Sequence, residues 1–296
     1  MAMHDDQLRI DEGTVRRLVL AQFPEWRDLP VTPLQTAATD NAIFLVGDAL
    51  AARFPLRHKD AQQVYAALAA EADASGELAD ATTVATPRPV AIGQPGDGYP
   101  LAWMVQTWVP GTDAATEVPV GSHDFATDLA SFIADLRAVD TRGRTFAGGG
   151  RGGHVHDHDA WVETCLANSV GLLDVPRLRR LWAEFRALPE IDDDVMCHGD
   201  LTPPNVLVDA GRLAGVVDCG GFAPADPALD LVAAWHLLDT EQRTLLRASL
   251  GCGDVQWRRG MAWAFQQAIG LVWYYVESNP TMSAFGRRTL DRLLAE

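Results

Sequence analysis

Apolar residues recur at helical spacing from Gly13 to Phe23, putting Val15, Leu18, Val19 and Phe23 on one face. Pro24 and Pro30 close that segment. From Val31 to Phe54 the pattern turns β-like, with a small polar loop over Thr36–Asn41. Ala42–Val46 and Ala49–Phe54 flank Gly47-Asp48, which predicts a two-residue hairpin turn. Helical spacing returns over Asp60–Leu78, where Asp60 is the expected cap and Val64, Leu68 and Leu78 lie near one face. Pro87–Ile92 predicts a short strand, Gly93–Gly98 a turn, and Leu101–Val109 a buried strand stopped by Pro110-Gly111.

Beyond Gly111 the spacing is chiefly helical. Asp124–Val139 directs Phe125, Leu129, Phe132, Ile133 and Leu136 inward. Ala160–Val170 is predicted to start from a cap at Asp157 or Asp159. Val175–Leu188, Asp226–Leu238, Gln242–Leu250, Asp254–Val276 and Met282–Leu294 read as helices, and Asp192-Asp193-Asp194 as a solvated turn. The exception lies inside Met196–Gly221. There Val206–Val208 and Leu213–Val217 flank Asp209-Ala210-Gly211-Arg212, where Asp and Gly supply the turn angles. A hairpin of this kind is expected to fold Asp218 back toward the loop carrying Asp200 and Asn205. Two carboxylates and one amide would meet at its end.

Composition narrows the classes. A chain of 296 residues suits one large or two modest domains, and 48% hydrophobic with 22% charged residues is enough to bury a core. The net charge of −16 argues against nucleic acid as a partner. It suits a cationic small molecule but also serves solubility alone. Cys165, Cys197, Cys219 and Cys252 are scattered, so free thiols in a reducing cytoplasm are expected rather than zinc or disulfides. The acidic run Met1–Asp6 lacks an apolar centre, so no signal peptide is expected. The most apolar helix carries Gln266 and Gln267 and is too short and polar to span a bilayer. The glycine-rich run Thr145–Gly153 reads as a flexible connection. His154-Val155-His156-Asp157-His158-Asp159 fits no metal-ligand spacing and reads as a polar helix start.

The oxygen-bearing trio has a chemical use. Magnesium takes hard oxygen ligands and shares them with phosphate and water. Asn205 and Asp218 can supply such ligands, leaving Asp200 to orient and deprotonate a hydroxyl, as in kinase-type transfer. Any one of the three could instead be a turn or cap residue; the case rests on the whole constellation.

The pattern H-G-D-L-x-x-x-N over His198–Asn205, the strand pair ending V-V-D at Asp218, and D-P-A-x-D-L over Asp226–Leu231 resemble the aminoglycoside phosphotransferase family, which shares the protein-kinase fold. That resemblance implies an α+β, two-lobed protein-kinase-like fold. A small β-rich nucleotide-binding lobe with one long helix would cover residues 1–109, and a larger, mostly helical catalytic and substrate-binding lobe residues 110–296. It implies Asp200 as catalytic base and Asn205 and Asp218 as metal ligands. Arg53 stands where the family usually has a lysine, since the sole lysine, Lys59, lies beyond Pro55. Glu71 is the helix glutamate that would hold Arg53, with Glu77 as second choice. Thr39 and Asn41 would lie over the phosphates, and Met104, Gln106 and Trp108 along the segment whose backbone meets the base edge. His198 and Asp230 would support the catalytic loop. Asp157, Asp159 and Glu163 are candidate contacts for substrate ammonium groups, and Glu277, with Trp263, Trp273 and Tyr274, could border the cleft. The implied activity is transfer of the γ-phosphoryl group of ATP or GTP, with Mg²⁺, to a hydroxyl of a small cationic molecule, an aminoglycoside or another antibiotic. A metabolic kinase for a sugar, choline-like amine or amino alcohol, and a non-catalytic nucleotide-binding protein on this fold, are the alternatives. No membrane partner is expected, and the chain would act as a monomer or homodimer.

Overall fold

The computed structural model describes residues 8–34, 41–117, 119–148, 151–190 and 193–296. The chain divides into two compact units, the first reaching Pro110 and including Gly215–Gly221, the second holding the rest. The first unit opens with α1 (Glu12–Gln22), capped by Asp11, whose carboxylate accepts from the Thr14 amide at 2.7 Å. A five-stranded antiparallel sheet follows: β1 (Val31–Leu34), β2 (Asn41–Val46), β3 (Leu50–Pro55), β4 (Pro89–Gly93) and β5 (Trp103–Thr107), in the order β1-β2-β3-β5-β4. Between β3 and β4 runs α2 (Ala61–Ala81), started by Asp60, which accepts from the Gln63 amide at 2.9 Å as its position predicts.

The β2–β3 connection differs from expectation. Val46 pairs with Leu50, so Gly47, Asp48 and Ala49 all lie in the loop, and Gly47 takes φ 64°. One added residue takes the loop out of the two-residue class, and Gly47 at its start supplies the positive φ. The core beneath the sheet is aromatic: Phe54 stacks on Trp103 at 4.8 Å, and Tyr99 meets Phe54 edge-on at 5.3 Å. Both Phe54 and Trp103 are wholly buried, each worth roughly 1.5–3 kcal/mol of transfer free energy.

Gly215–Gly221 groups with the first unit for a steric reason. The Val216 amide donates to the Ala85 carbonyl at 3.0 Å. A side chain on Gly215 would fall 2.6 Å from Val109 and 2.8 Å from that same carbonyl, so only glycine allows the approach.

The second unit contains β6 (Thr112–Asp113), α3 (His123–Arg137), α4 (Asp159–Asn168), α5 (Val175–Phe185), β7 (Val195–Cys197), β8 (Val206–Asp209), β9 (Arg212–Val216, whose end passes into the first unit), β10 (Ala223–Ala225), α6 (Val232–Leu237), α7 (Thr240–Ser249), α8 (Asp254–Tyr274) and α9 (Pro280–Leu294). The inward residues predicted for α3 are each fully buried. The β8–β9 turn has φ 48° at Ala210 and 73° at Gly211, so Ala210 rather than Asp209 bears the unfavourable backbone.

Three further expectations are corrected. Neither Asp157 nor Asp159 caps α4: Asp157 accepts the His154 amide at the start of the 3₁₀ turn Val155–His158, and Asp159 sits inside the first turn with its carboxylate drawn to the C-terminal end of α5. The segment after Asp226 is not one helix but a 3₁₀ turn, Leu229–Leu231, followed by the short α6. Asp194 accepts the Phe146 amide at 2.7 Å rather than standing in solvent. No helix among the described residues is long and apolar enough to cross a membrane.

Candidate active site

In the second unit the loop between β7 and β8 is braced from below. Asp230, 1% exposed, accepts the His198 amide through Oδ2 and the Gly199 amide through Oδ1, both at 2.8 Å. Burial raises the Asp230 carboxyl above its ordinary range, against the pull of His198 and these two amides. His198, itself buried, accepts the Asp200 amide on Nδ1 at 3.2 Å. Gly199 takes φ 82°, a conformation that suits glycine and turns the chain toward Asp200. The brace is held in turn by Asp226. Its Oδ2 accepts Arg259 Nε at 2.9 Å, Arg259 Nη2, and Trp263 Nε1 at 2.8 Å, with all three residues buried. Trp263 is therefore a core anchor, not a cleft residue.

Asn205 ends the 3₁₀ turn Pro203–Asn205 and donates from Nδ2 to the Asp200 carbonyl at 3.0 Å, which leaves its amide oxygen available. Asp200 is ion-paired through Oδ1 with Arg151, a residue of the glycine-rich run. Gln267 of α8 donates to the Gly199 carbonyl at 3.4 Å and lies 3.2 Å from His236 Nε2, whose Nδ1 faces Thr289 Oγ1 at 3.1 Å. Burial drives the His236 pKa down to about 4, so the imidazole is neutral near pH 7.

Arg151 and Gln267 also line a cavity of about 730 Å³ within this unit, together with Phe146, Asp157, Trp161, Tyr274 and Tyr275. Of the four acids proposed for substrate, only Asp157 is among its walls. Asp159 is engaged by Trp182 Nε1 at 2.8 Å and Arg186 Nε at 3.1 Å, and Glu163 by Arg179 at 2.6 Å. Glu277 is exposed just beyond α8. Trp273 is half-buried on α8 and Tyr274 largely exposed.

The first unit gathers a second set of charges. Arg53 on β3 lies 3.8 Å from Glu71 of α2 and 3.7 Å from Asp218. Burial, helped by the Asp218 charge, raises the Glu71 carboxyl despite Arg53. Asp218 takes φ 63°, a strained backbone for a residue with a side chain, and such strain concentrates at functional sites. Lys59 is exposed past β3, and Asn41 starts β2 opposite Pro55. Thr39 lies outside the described residues. Met104 is fully buried, and its peptide is enclosed between Arg53 on β3 and Ile92 on β4. Its backbone lies inside the sheet, with a strand on each side. Gln106 is likewise paired on both sides, with Ala51 and Pro89. The Trp108 amide is spent on the Ala49 carbonyl at 2.8 Å.

Each metal-binding candidate offers a hard oxygen: the Asn205 amide oxygen, and the Asp218 carboxylate, which is half exposed and only loosely held by Arg53. That donor chemistry suits magnesium rather than zinc. Among the described residues no three His, Cys, Asp or Glu side chains form a metal cluster. His154 and His156 stack on one another at 5.4 Å beside Glu190, and His158 bonds the Gly152 carbonyl at 2.9 Å. The four thiols are free and buried, and burial pushes Cys219 up to about 12, so it is protonated and unreactive. Sequence order alone gives no sign of the Arg151, Gln267 and Phe146 positions, because each reaches the site from a distant segment.

The family model of the phosphotransferase enzyme family matches residues 31–263. An aminoglycoside 3'-phosphotransferase of Streptomyces fradiae is 32% identical over 158 residues, covering 48% of this chain and 55% of that protein. The chain spans about half the length of the first curated relatives it matches. Among solved structures, the GDP complex of aminoglycoside 2'-phosphotransferase-IIIa superposes with a TM-score of 0.72 at 20% identity, covering 97% of this chain and 99% of that one. The macrolide 2'-phosphotransferase MphH of Brachybacterium faecium gives a TM-score of 0.63 at 19% identity, covering 94% and 97%. At such identities the two structures establish a shared kinase-like fold. With the family model matched across most of its length and that fold in place, this chain belongs to the aminoglycoside phosphotransferase family.

Proposed function

We propose that the protein transfers the γ-phosphoryl group of ATP or GTP to a hydroxyl of an aminoglycoside or another antibiotic. The observation that carries this reading is Asp200 on a loop braced by the buried Asp230, joined through Arg151 and Gln267 to a cavity large enough for a small molecule. Family membership and the nucleotide- and antibiotic-named relatives support it.

In this mechanism Asp200 accepts the proton of the acceptor hydroxyl and aims its oxygen in line with the phosphorus. The fixed loop pre-orients the carboxylate, and in a loose transition state positioning counts for more than basicity. Arg53, held by Glu71, steadies the nucleotide phosphates. Asn205 and Asp218 would hold magnesium, which when bound neutralises phosphate charge as it shifts toward the leaving group.

Two variants separate these roles. Asp200→Ala is expected to lose most turnover while retaining nucleotide binding, and Asp218→Ala to lose magnesium-dependent nucleotide binding. Nucleotide consumption with magnesium and equilibrium nucleotide binding measure the two effects. Wild-type phosphotransfer in both variants would overturn the role assignment.

A further inference from the structure

The acceptor cavity of the second unit is built rather than incidental, and four aromatic rings, Phe146, Trp161, Tyr274 and Tyr275, stand among its walls. Trp161 is 44% exposed and Tyr274 56% exposed, so both present apolar surface although each belongs to a packed helix. Two glycines make room for the rings. A side chain on Gly270 would fall 2.6 Å from Trp161, and one on Gly152 would fall 2.4 Å from Phe146. Aromatic faces stabilise an apolar surface laid against them and can hold a single cation beside a ring.

The charges around this cavity balance instead of summing to a strongly negative site. Asp157 is the one carboxylate among its described lining residues, and Arg151 is the one arginine. Arg151 is paired with Asp200, while Asp159 and Glu163 are occupied by Arg186 and Arg179 away from the walls. The net charge of −16 therefore does not translate into an acidic acceptor site. A ligand with many ammonium groups would meet one carboxylate and, beside the reacting hydroxyl, a guanidinium of its own sign. Like-charge juxtaposition of this kind is a recognised source of discrimination.

We propose that this cavity takes a hydroxyl compound with a broad apolar face and a single cationic group, and that Arg151 sets the preference by occupying the place on Asp200 that a further ammonium group would take. The inference rests on the phosphotransfer reading and narrows its acceptor. The amine pairs with Asp157, the apolar face lies on Trp161, Tyr274 and Phe146, and the hydroxyl reaches the Asp200 oxygen that Arg151 leaves open. Arg151 acts as a specificity residue and takes no part in bond making.

The test compares two probes, erythromycin as an amine with a large apolar face and kanamycin as a polyamine, on the wild type and Arg151→Gln. Selectivity is read as the ratio of kcat/KM values, which does not depend on the fraction of enzyme folded. Calorimetric binding of each compound gives the same comparison without turnover. The wild type is expected to favour erythromycin. Arg151→Gln is expected to shift the ratio toward kanamycin by roughly tenfold, the size of one unit charge removed at close range in a partly exposed site. Trp161→Ala should weaken erythromycin and leave kanamycin nearly unchanged. A wild type that prefers kanamycin, or a ratio that Arg151→Gln does not move, overturns the proposal while leaving phosphotransfer intact. Transfer to neither probe overturns this inference; the phosphotransfer reading falls with it only if magnesium-dependent nucleotide binding is also absent from the wild type.

Discussion

Replacing Asp230 by asparagine tests how the catalytic loop is held. The two oxygens of Asp230 each accept one amide at 2.8 Å, from His198 and from Gly199, in a setting 1% exposed. Asparagine keeps one acceptor and turns an NH₂ toward the other amide, so a buried donor faces a donor. Losing a charge-assisted bond costs about 1.5–3 kcal/mol and the orphaned amide about 1–3 kcal/mol more. Part of this is offset. Burial raises the Asp230 carboxyl, which means its charge is held at a cost that a neutral amide avoids. The net loss is therefore set at about 1–3 kcal/mol rather than the full sum. Urea unfolding at pH 7 measures it. The catalytic consequence is larger, because Asp200 follows directly on the braced amides. A displacement of the order of 1 Å lowers kcat by about 10–100-fold, with nucleotide KM unchanged. A variant destabilised as expected but with wild-type kcat would show that the brace does not position Asp200. A variant with wild-type stability would show that the two amides find other acceptors.

The remaining predictions concern pH and packing. His236 holds its pKa near 4 in the fold against an ordinary 6.5, so the unfolded chain takes up the proton first as pH falls. Stability is fully present above about pH 6.5 and falls by about 3 kcal/mol as pH drops toward 4. Urea midpoints across that range should drop more steeply for the wild type than for His236→Gln; equal slopes would remove His236 from the account. Gly220→Ala would set a methyl 2.9 Å from Glu71 Cγ and 3.0 Å from its Cβ. Overpacking of this kind costs about 1–3 kcal/mol and should push Glu71 away from Arg53. Weaker nucleotide binding with a lowered thermal midpoint is expected, and unchanged binding would mean that Arg53 does not need Glu71.

Much of the fold is legible in the chain because its signals are local. Asp60 capping α2 is decided within four residues, as are the apolar stripes of α1 and α3. The proximity of Arg53 to Glu71, and the two bonds from Asp230 to the loop before Asp200, follow from motif order on a known type of scaffold. What failed was equally physical. A three-residue loop at Gly47–Ala49 differs from a two-residue turn by one pairing, which no residue pattern marks.

The sequence by itself determined most of the helices, the main strands of the first unit, the buried faces of α1 and α3, and the identity of the loop that carries Asp200. Tertiary structure alone decided which charges remain for a ligand. Arg186 and Arg179 claim Asp159 and Glu163, Arg151 claims Asp200, and Gly270 lets Trp161 into the cavity wall. Backbone periodicity is set by neighbours three or four positions away, whereas an ion pair or a ring contact depends on where remote segments come to rest.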